Sequence, residues 1–294
     1  MPTPLALPTP SLAPLLQQCR YGFRVLERKL RGYSPRVRIQ VESHRYIAKT
    51  VEHWEEWVGV LRLRHEVFHQ QAMGRTLLLG MDIDDIDFLC DNLAIFEKAT
   101  GQIVATYRLT SDAFSPQFYS QKRFFLDPFL QEPGTKLELG RACVRSDARN
   151  GNTLALLWKG IAAYMDALGA ETLFGPTSIR SQDPRDAAAV CSYLIDGGYF
   201  LSLPRVYPHR ENSFENGEVN LSDLIAGLSM TEATLRAQAV MPPLFQSYLR
   251  AGAKVICPPA LDVYLGSIDF LTVLRINEMQ SRFDRRYRPA KSAC

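Results

Sequence analysis

The chain predicts an α/β fold of the α+β kind, with one mixed central sheet and helices on both faces. Two observations lead there. Segments whose apolar residues alternate with period 2 interleave with segments of helical period, and one neighbouring strand pair is joined by the hairpin signal Ala99-Thr100-Gly101. Strands and helices mixed in this way, with a hairpin among them, require a mixed sheet covered by helices. No internal repeat and no strong linker interrupts the pattern, so one domain is expected.

Residues 1–10 read as a Pro-rich leader without fixed structure. Residues 11–31 read as a basic amphipathic helix in which Leu12, Leu15, Leu16, Phe23, Leu26 and Leu30 alternate with arginines. Such a helix suits a membrane interface or a packed position with a solvated basic face. Residues 46–51 form a strand and 52–72 a long helix, with Trp54, Trp57, Val58, Leu61 and Phe68 on one side. Residues 92–97 and 102–110 are the hairpin strands. A strand over 136–144, a helix over 151–168, a strand over 172–178 and a helix over 186–197 follow. The last third holds helices over 221–239 and 243–251, then apolar strands over 253–257 and 269–276.

At 294 residues the chain can bury a full core without disulfides or metals. Its six cysteines are scattered without close pairs, which disfavours a zinc ribbon or redox dithiol and fits a reducing compartment. The longest apolar runs fall short of the roughly 18 residues of a membrane span. Residues 1–18 hold five prolines and no basic residue, so no secretory signal is expected, and the cytoplasm is the expected compartment. The net charge of +3 hides an uneven distribution: residues 1–40 carry +6 and the stretch from Arg275 onward +4, which leaves the body at −7. Two basic ends on an acidic body suggest contact with an anionic surface.

His65-Glu66-Val67-Phe68-His69 satisfies H-E-x-x-H, which on a helix places two imidazoles on one face for zinc. The extended form with a third histidine is absent, and the downstream acids Asp82, Asp84, Asp85 and Asp87 cluster in a loop rather than on a following helix. No metal is expected, and zinc hydrolysis stands as a minor alternative.

A longer pattern absorbs the same stretch. Arg64-x-x-Val67-Phe68 is followed by the acidic loop from Asp82 to Asp91, by Val104-Ala-Thr-Tyr107-Arg108-Leu109 and by Glu138-Leu-Gly-Arg141-Ala-Cys143-Val144. The order resembles the GNAT-fold acyltransferases that use acyl carrier protein, above all the ornithine N-acyltransferases and N-acyl amino acid synthases. The acyl-homoserine lactone synthases share a sparser version. Leu156-Leu157-Trp158-Lys159-Gly160-Ile161, Leu173-Phe174-Gly175, Asp183-Pro184, Met241-Pro242-Pro243-Leu244 and Tyr248-Leu249-Arg250-Ala251-Gly252 continue the likeness on the amino acid acyltransferase side. It spans roughly residues 47–283. The leader and the basic tail have no place in it.

The resemblance implies a GNAT-like sheet whose central parallel strands, here 136–144 and 172–178, splay so that a pantetheine arm slides between them. A freed N–H near Ala142–Val144 would face the thioester oxygen. The helix beginning near Gly151 would aim N–H groups at a phosphate, with Val144, Arg145, Arg149, Gly151 and Asn152 lining the carrier's arm. This loop has only one of the glycines that cradle a pyrophosphate, which favours acyl carrier protein as donor, with acyl-CoA as the alternative. Arg145, Arg149 and Lys159 would meet an acidic carrier. No bound cofactor is expected.

Glu138 is the candidate general base and Arg141 its catalytic partner; the rival role for Glu138 is structural, paired with Arg141 or Arg108. Arg64, Phe68, Asp84, Asp87, Arg108 and Cys143 are assigned to substrate binding. Arg64 and Arg108 are expected to pair with the acidic loop, at Asp84 or Asp87, closing it over the thioester or the acceptor. In the ornithine reading Asp84, Asp87 or Asp91 holds the cationic acceptor and an arginine its carboxylate. Cys143 as a nucleophile is disfavoured, because no histidine lies nearby in sequence. Trp54, Trp57 and Trp158 are expected in the core or acyl tunnel, and His209 in a surface loop.

The implied function is transfer of a long-chain acyl group, 3-hydroxylated chains included, from acyl carrier protein to the α-amine of an amino acid such as ornithine. The alternatives are a lactone-type signal synthase using S-adenosylmethionine, and a non-catalytic carrier- or membrane-binding protein. The expected organisation is leader and basic helix over 1–35, catalytic domain over 36–284 and basic tail over 285–294. The enzyme is expected peripherally on the inner face of the cytoplasmic membrane, with no nucleic acid partner.

Overall fold

The computed structural model describes residues 31–287, apart from 202, 204 and 215–219. The leader, nearly all of the helix expected over 11–31 and the tail from residue 288 lie outside the described residues. The strands are β1 (Gln40–Glu42), β2 (Tyr46–Thr50), β3 (Asp91–Glu97), β4 (Ile103–Ser111), β5 (Phe124–Phe125), β6 (Lys136–Val144), β7 (Thr172–Ile179), β8 (Tyr207–Pro208), β9 (Lys254–Val255), β10 (Ala260–Asp262) and β11 (Ser267–Arg275). Among the described residues the main sheet runs β1-β2-β3-β4-β6-β7-β11-β10, with β9 also on β11; β5 and β8 pair separately. Neighbours in the main sheet are antiparallel except β6 and β7, which are parallel. The mixed sheet expected from the chain is the sheet observed.

Helices cover both faces. On one, α1 (Trp54–Arg64) buries Trp57, Val60 and Leu61 against Val51 and Ala94. It does not continue to residue 72 as one α-helix: from His65 to Gln71 the chain is a π-helix, a wider turn often found where side chains are aimed at a site. After the one-turn α2 (Asp127–Leu130), α3 (Gly151–Leu168) covers the other face, packing Leu156, Leu157, Ile161 and Tyr164 on Leu93, Tyr107 and Leu139. Its ends are legible: the Asn150 side chain accepts N–H bonds from Asn152 and Thr153 at 3.0 Å each, and Gly169 closes it at φ +72°.

α4 (Pro184–Asp196), α5 (Leu221–Ala226), α6 (Met230–Val240) and α7 (Pro243–Ala251) form a layer around Ile179, Ile268 and Phe270. The single helix expected over 221–239 is thus two, because Ser229 caps a new start by accepting from the Glu232 N–H. The strand expected over 253–257 shrinks to β9. At the ends of the body, Tyr33 stacks on Trp57 at 4.6 Å, and α8 (Ser281–Tyr287) packs Phe283 edge-on to Trp158 at 4.7 Å. No helix among the described residues is long and apolar enough to cross a membrane.

Candidate active site

β6 and β7 stay in register for three pairs only: Lys136 with Thr172, Leu137 with Leu173 and Glu138 with Phe174. Beyond Glu138 they part. β6 remains on β4 as far as Val144, opposite Ala105, while β7 remains on β11 as far as Ile179, opposite Ile268. The predicted splayed pair is therefore the observed one. Residues 139–144 and 175–179 have no register partners across the gap, which leaves main-chain groups available for an inserted chain.

Two backbone features shape the fork. Gly175 has φ +156°, and a Cβ there would lie 2.2 Å from the Leu139 carbonyl oxygen, so only glycine allows this approach at the crotch. On the other arm, Thr106 faces Cys143 and Arg108 faces Gly140, so β6 has one residue more than β4; within this bulge Arg141 adopts φ +49°. A cavity of about 20 Å³ sits at the crotch, lined by Leu139, Gly175, Pro176 and Tyr248 among others. The Tyr248 hydroxyl bonds that of Tyr107 at 2.8 Å.

The α1 face of β6 and β4 carries an ionic network. Arg64 is fully buried; its Nε pairs with Asp82 at 3.0 Å, while Nη1 and Nη2 grip Asp87 at 2.7 and 3.0 Å. Arg108 Nη1 pairs with Asp84 at 2.8 Å, and Arg141 pairs with Asp82 at 3.0 Å and Asp84 at 3.1 Å. The local chain prepares this arrangement. Asp84 caps the short turn Asp85–Phe88 by accepting from Ile86, and Asp87 reaches back to the Asp84 N–H at 2.8 Å. Burial alone would raise the Asp82 and Asp87 carboxyls, but the arginine charges outweigh it and hold both below the usual range.

Glu138, on the same face at the last paired position, is 1% exposed. Its carboxylate accepts the N–H of Tyr119 at 2.8 Å and of Ser120 at 2.7 Å, so it clamps the Tyr119–Lys122 turn rather than closing a contact pair with Arg141 or Arg108. Burial raises its carboxyl, although hydrogen bonds from Ser120 and Tyr119 and the Arg108 charge pull the other way. The Tyr119 ring then lies 4.6 Å from the Arg141 guanidinium, 4.9 Å from Arg108 and 5.0 Å from Arg123. Arg123 in turn pairs with Asp262 and, at 3.3 Å, with Asp269.

Several expected roles change with this geometry. Asp91 is not open to a ligand, because its buried carboxylate accepts the N–H groups of Arg36 and Val37 and the Tyr164 hydroxyl. His209 is no free surface loop residue: Nε2 meets the Gln121 carbonyl at 2.8 Å and its N–H bonds the Arg123 carbonyl, fixing the Tyr119 turn from behind. His65 accepts the Leu77 N–H, while His69 Nδ1 accepts from Arg75, so its Nε2 donates to Asp82. The H-E-x-x-H rings are thus committed to protein partners. Among the described residues no three His, Cys, Asp or Glu side chains converge as metal ligands.

Cys143 is buried with Leu63, Val67 and Phe68, and burial pushes its thiol up to about 12, which leaves almost no thiolate near neutrality. At the fork's open end, Arg145 pairs with Asp147 at 2.7 Å and bonds Gln102, and Arg149 bonds the Val144 carbonyl and Gln71. Gly151 and Asn152 stand exposed at the start of α3, where Asn150 already holds two of the first N–H groups. Sequence reasoning missed Tyr119, Arg123 and Asp262; residues 115–123 lack periodicity, and an aromatic beside Lys122 and Arg123 was the available signal.

Comparison with known proteins agrees with this architecture. The Acetyltransferase (GNAT) domain family matches residues 63–159, the stretch from Leu63 through β6 into α3. An L-ornithine N(alpha)-acyltransferase of Rhizobium meliloti (strain 1021) is 31% identical over 218 residues, covering 69% of this chain and 69% of that protein. The chain belongs to the L-ornithine N(alpha)-acyltransferase family. A second member, from Rhodobacter capsulatus, is 32% identical over 208 residues, 66% of this chain and 76% of that one. Among solved structures, an N-acyl amino acid synthase from uncultured soil microbes aligns over 80% of this chain and 92% of its own, at 12% identity and a TM-score of 0.41. The protein is an acyltransferase with the GNAT architecture.

Proposed function

We propose that this enzyme transfers a long-chain fatty acyl group, 3-hydroxylated chains included, from the thioester of acyl carrier protein to the α-amine of ornithine. The observation that carries the reading is the fork, which opens one residue beyond Glu138 and offers main-chain groups to a pantetheine arm. The relatives' activity supports ornithine as acceptor. The stretch 145–153 holds a single glycine, Gly151 at the start of α3, and this supports a carrier with one phosphate over the pyrophosphate of acyl-CoA.

In this reading the neutral amine attacks the thioester carbon, an N–H of the bulged strand near Ala142–Val144 stabilises the oxyanion, and the pantetheine thiolate leaves. Glu138 takes the amine's proton, and its raised carboxyl suits that task. Arg108 supports recognition of the acceptor's carboxylate. Its Nη1 is engaged by Asp84, but its buried Nε and Nη2 make no hydrogen bond. That is the edge of a guanidinium that grips a carboxylate with two parallel bonds. It lies beside Gly140, where even a Cβ would stand 3.7 Å from Nε. Arg141, joined to Asp82 and Asp84, orients the bulge. The basic leader would hold the enzyme on the inner leaflet of the cytoplasmic membrane.

The test gives purified enzyme acyl-carrier and acyl-CoA donors separately, with a panel of amino acids. Free thiol is followed and the product identified by mass spectrometry. N-acylornithine formed faster from the carrier donor is expected; absence of thiol release with every acceptor overturns the assignment.

A further inference from the structure

We infer that two turn tips beside the open end of the fork, residues 72–80 and 262–266, dock into the surface of an anionic lipid bilayer. The inference rests on the amphiphilic product proposed above and adds the membrane contact of the catalytic body itself. Leu78 is 93% exposed, Val263 70%, Tyr264 63% and Leu79 44%. These are four of the nine exposed large hydrophobic side chains among the described residues, and they stand on only two turns. The turns are neighbours, since the Arg75 guanidinium lies 4.5 Å from the Tyr264 ring centre.

Their position follows from two contacts with the arms. Arg149, just past the end of β6, bonds Gln71, and Arg180, just past the end of β7, reaches the Ala72 carbonyl. Residues 71 and 72 therefore bridge the two arms at the fork's mouth, and the turn over 73–80 runs on from there. Gly74, Gly80 and Gly266 turn the chain at φ +62°, +59° and +63°, and an added Cβ at any of them would meet nothing within 4 Å. The tips stand clear of the body.

Chemistry selects the occupant. Residues 72–80 contain one charged side chain, Arg75, and the 262–266 turn contains only Asp262, which is buried on Arg123. Arg75 stands between the two tips and Arg180 is exposed alongside, so the apolar side chains have cationic neighbours. Leucine and valine at the apex, an amphipathic tyrosine beside them and arginines behind is the order in which side chains meet acyl chains, the interfacial zone and anionic head groups. A stable self-association would instead need a broad face of about 800 Å² per partner. A nascent acyl amino acid, apolar at one end and ionic at the other, would pass from the fork into the leaflet at this lip.

The test uses the full chain and vesicles of phosphatidylcholine with phosphatidylglycerol, against phosphatidylcholine alone. Tyr264→Trp should show a blue-shifted emission and quenching by nitroxide-labelled lipid with the anionic vesicles, a readout of this tip that is independent of the leader. Leu78→Asp with Val263→Asp should weaken vesicle partitioning at least tenfold while turnover of a short-chain acyl thioester with a soluble amine stays within twofold. That turnover separates failure of this inference from failure of the proposed reaction. Unchanged partitioning, or an unshifted and unquenched emission from the Tyr264→Trp variant, overturns the inference. So does a concentration-dependent dimer abolished by the double variant, or a loss confined to KM for the carrier protein, since these assign the patch to a protein partner.

Discussion

β6 and β7 leave each other after three register pairs, yet different physics holds each of them in place. β7 runs beside β11 through eight register pairs, so its outer edge is satisfied by ladder hydrogen bonds and its gap-facing half can stay open. β6 has a shorter and bulged ladder on β4, and its Arg141 is fastened by ion pairs to the acidic turn in front of it. One arm is held by backbone, the other by side-chain charge. The lesson is that a strand need not be wedged apart from its neighbour. Each keeps partners on its far side, and opening at the crotch then depends on local devices, Gly175 on β7 and the bulge on β6.

The comparison is most easily broken on the charged arm. Asp87→Ala leaves Arg64 and Arg108 buried with a lost partner and should cost about 3–5 kcal/mol in chemical denaturation. The same arm should weaken in acid. Asp82 and Asp87 have folded values below their unfolded ones, so their contribution is complete above the ordinary carboxylate value of about 3.9 and disappears as pH falls through the lower folded values. A stability curve flat between pH 5 and pH 2 would refute that dependence. The backbone arm should answer to Gly175→Ala, which forces a Cβ onto the Leu139 carbonyl. A loss of about 2 kcal/mol or more is expected, together with loss of thioester turnover.

The crotch itself is sharpened by Glu138. Alanine is a poor probe there, because it strips the Tyr119 and Ser120 N–H groups of their buried acceptor. Glu138→Gln retains one acceptor and should lower kcat by about 10²-fold or more if the carboxylate takes the proton. In the wild type kcat/KM should fall as pH is lowered through a value above the usual glutamate range, because burial raises this carboxyl and its protonation removes the base. An unchanged kcat in the glutamine variant would leave Glu138 only its clamping role. The smallest effect belongs to Cys143→Ala, where turnover within about twofold is expected; a loss approaching that of Glu138→Gln would revive the covalent route.

Much of the fold was legible because local signals were complete. Residues 136–144, 151–168 and 243–251 appear at their expected bounds, the two helices being marked by Asn150 or Pro243 at the start and Gly169 or Gly252 at the end. The helix expected over 221–239 misled because Leu221 to Val240 keeps a helical pattern through a break set by one serine cap. In the site, pairing of Arg64 and Arg108 with the acidic loop was readable in kind, since buried arginines need carboxylates. Which carboxylate serves which arginine was not. Asp84, Asp87 and Asp91 look alike in sequence, yet the first two join the Arg64, Arg108 and Arg141 network while the third holds the backbone at residues 36–37 and the Arg36 side chain.

The sequence alone determined most of the longer elements and the residue types that must meet, because propensity and periodicity act over a few residues. Only the tertiary structure decided that Tyr119 lies among three guanidiniums, that Glu138 clamps a turn 18 positions before it and that two distant turns raise their apolar tips side by side. Those outcomes depend on register and packing between segments far apart in the chain. No short-range preference records them, since a contact across the sheet is paid in loop entropy and decided by the fit of both partners.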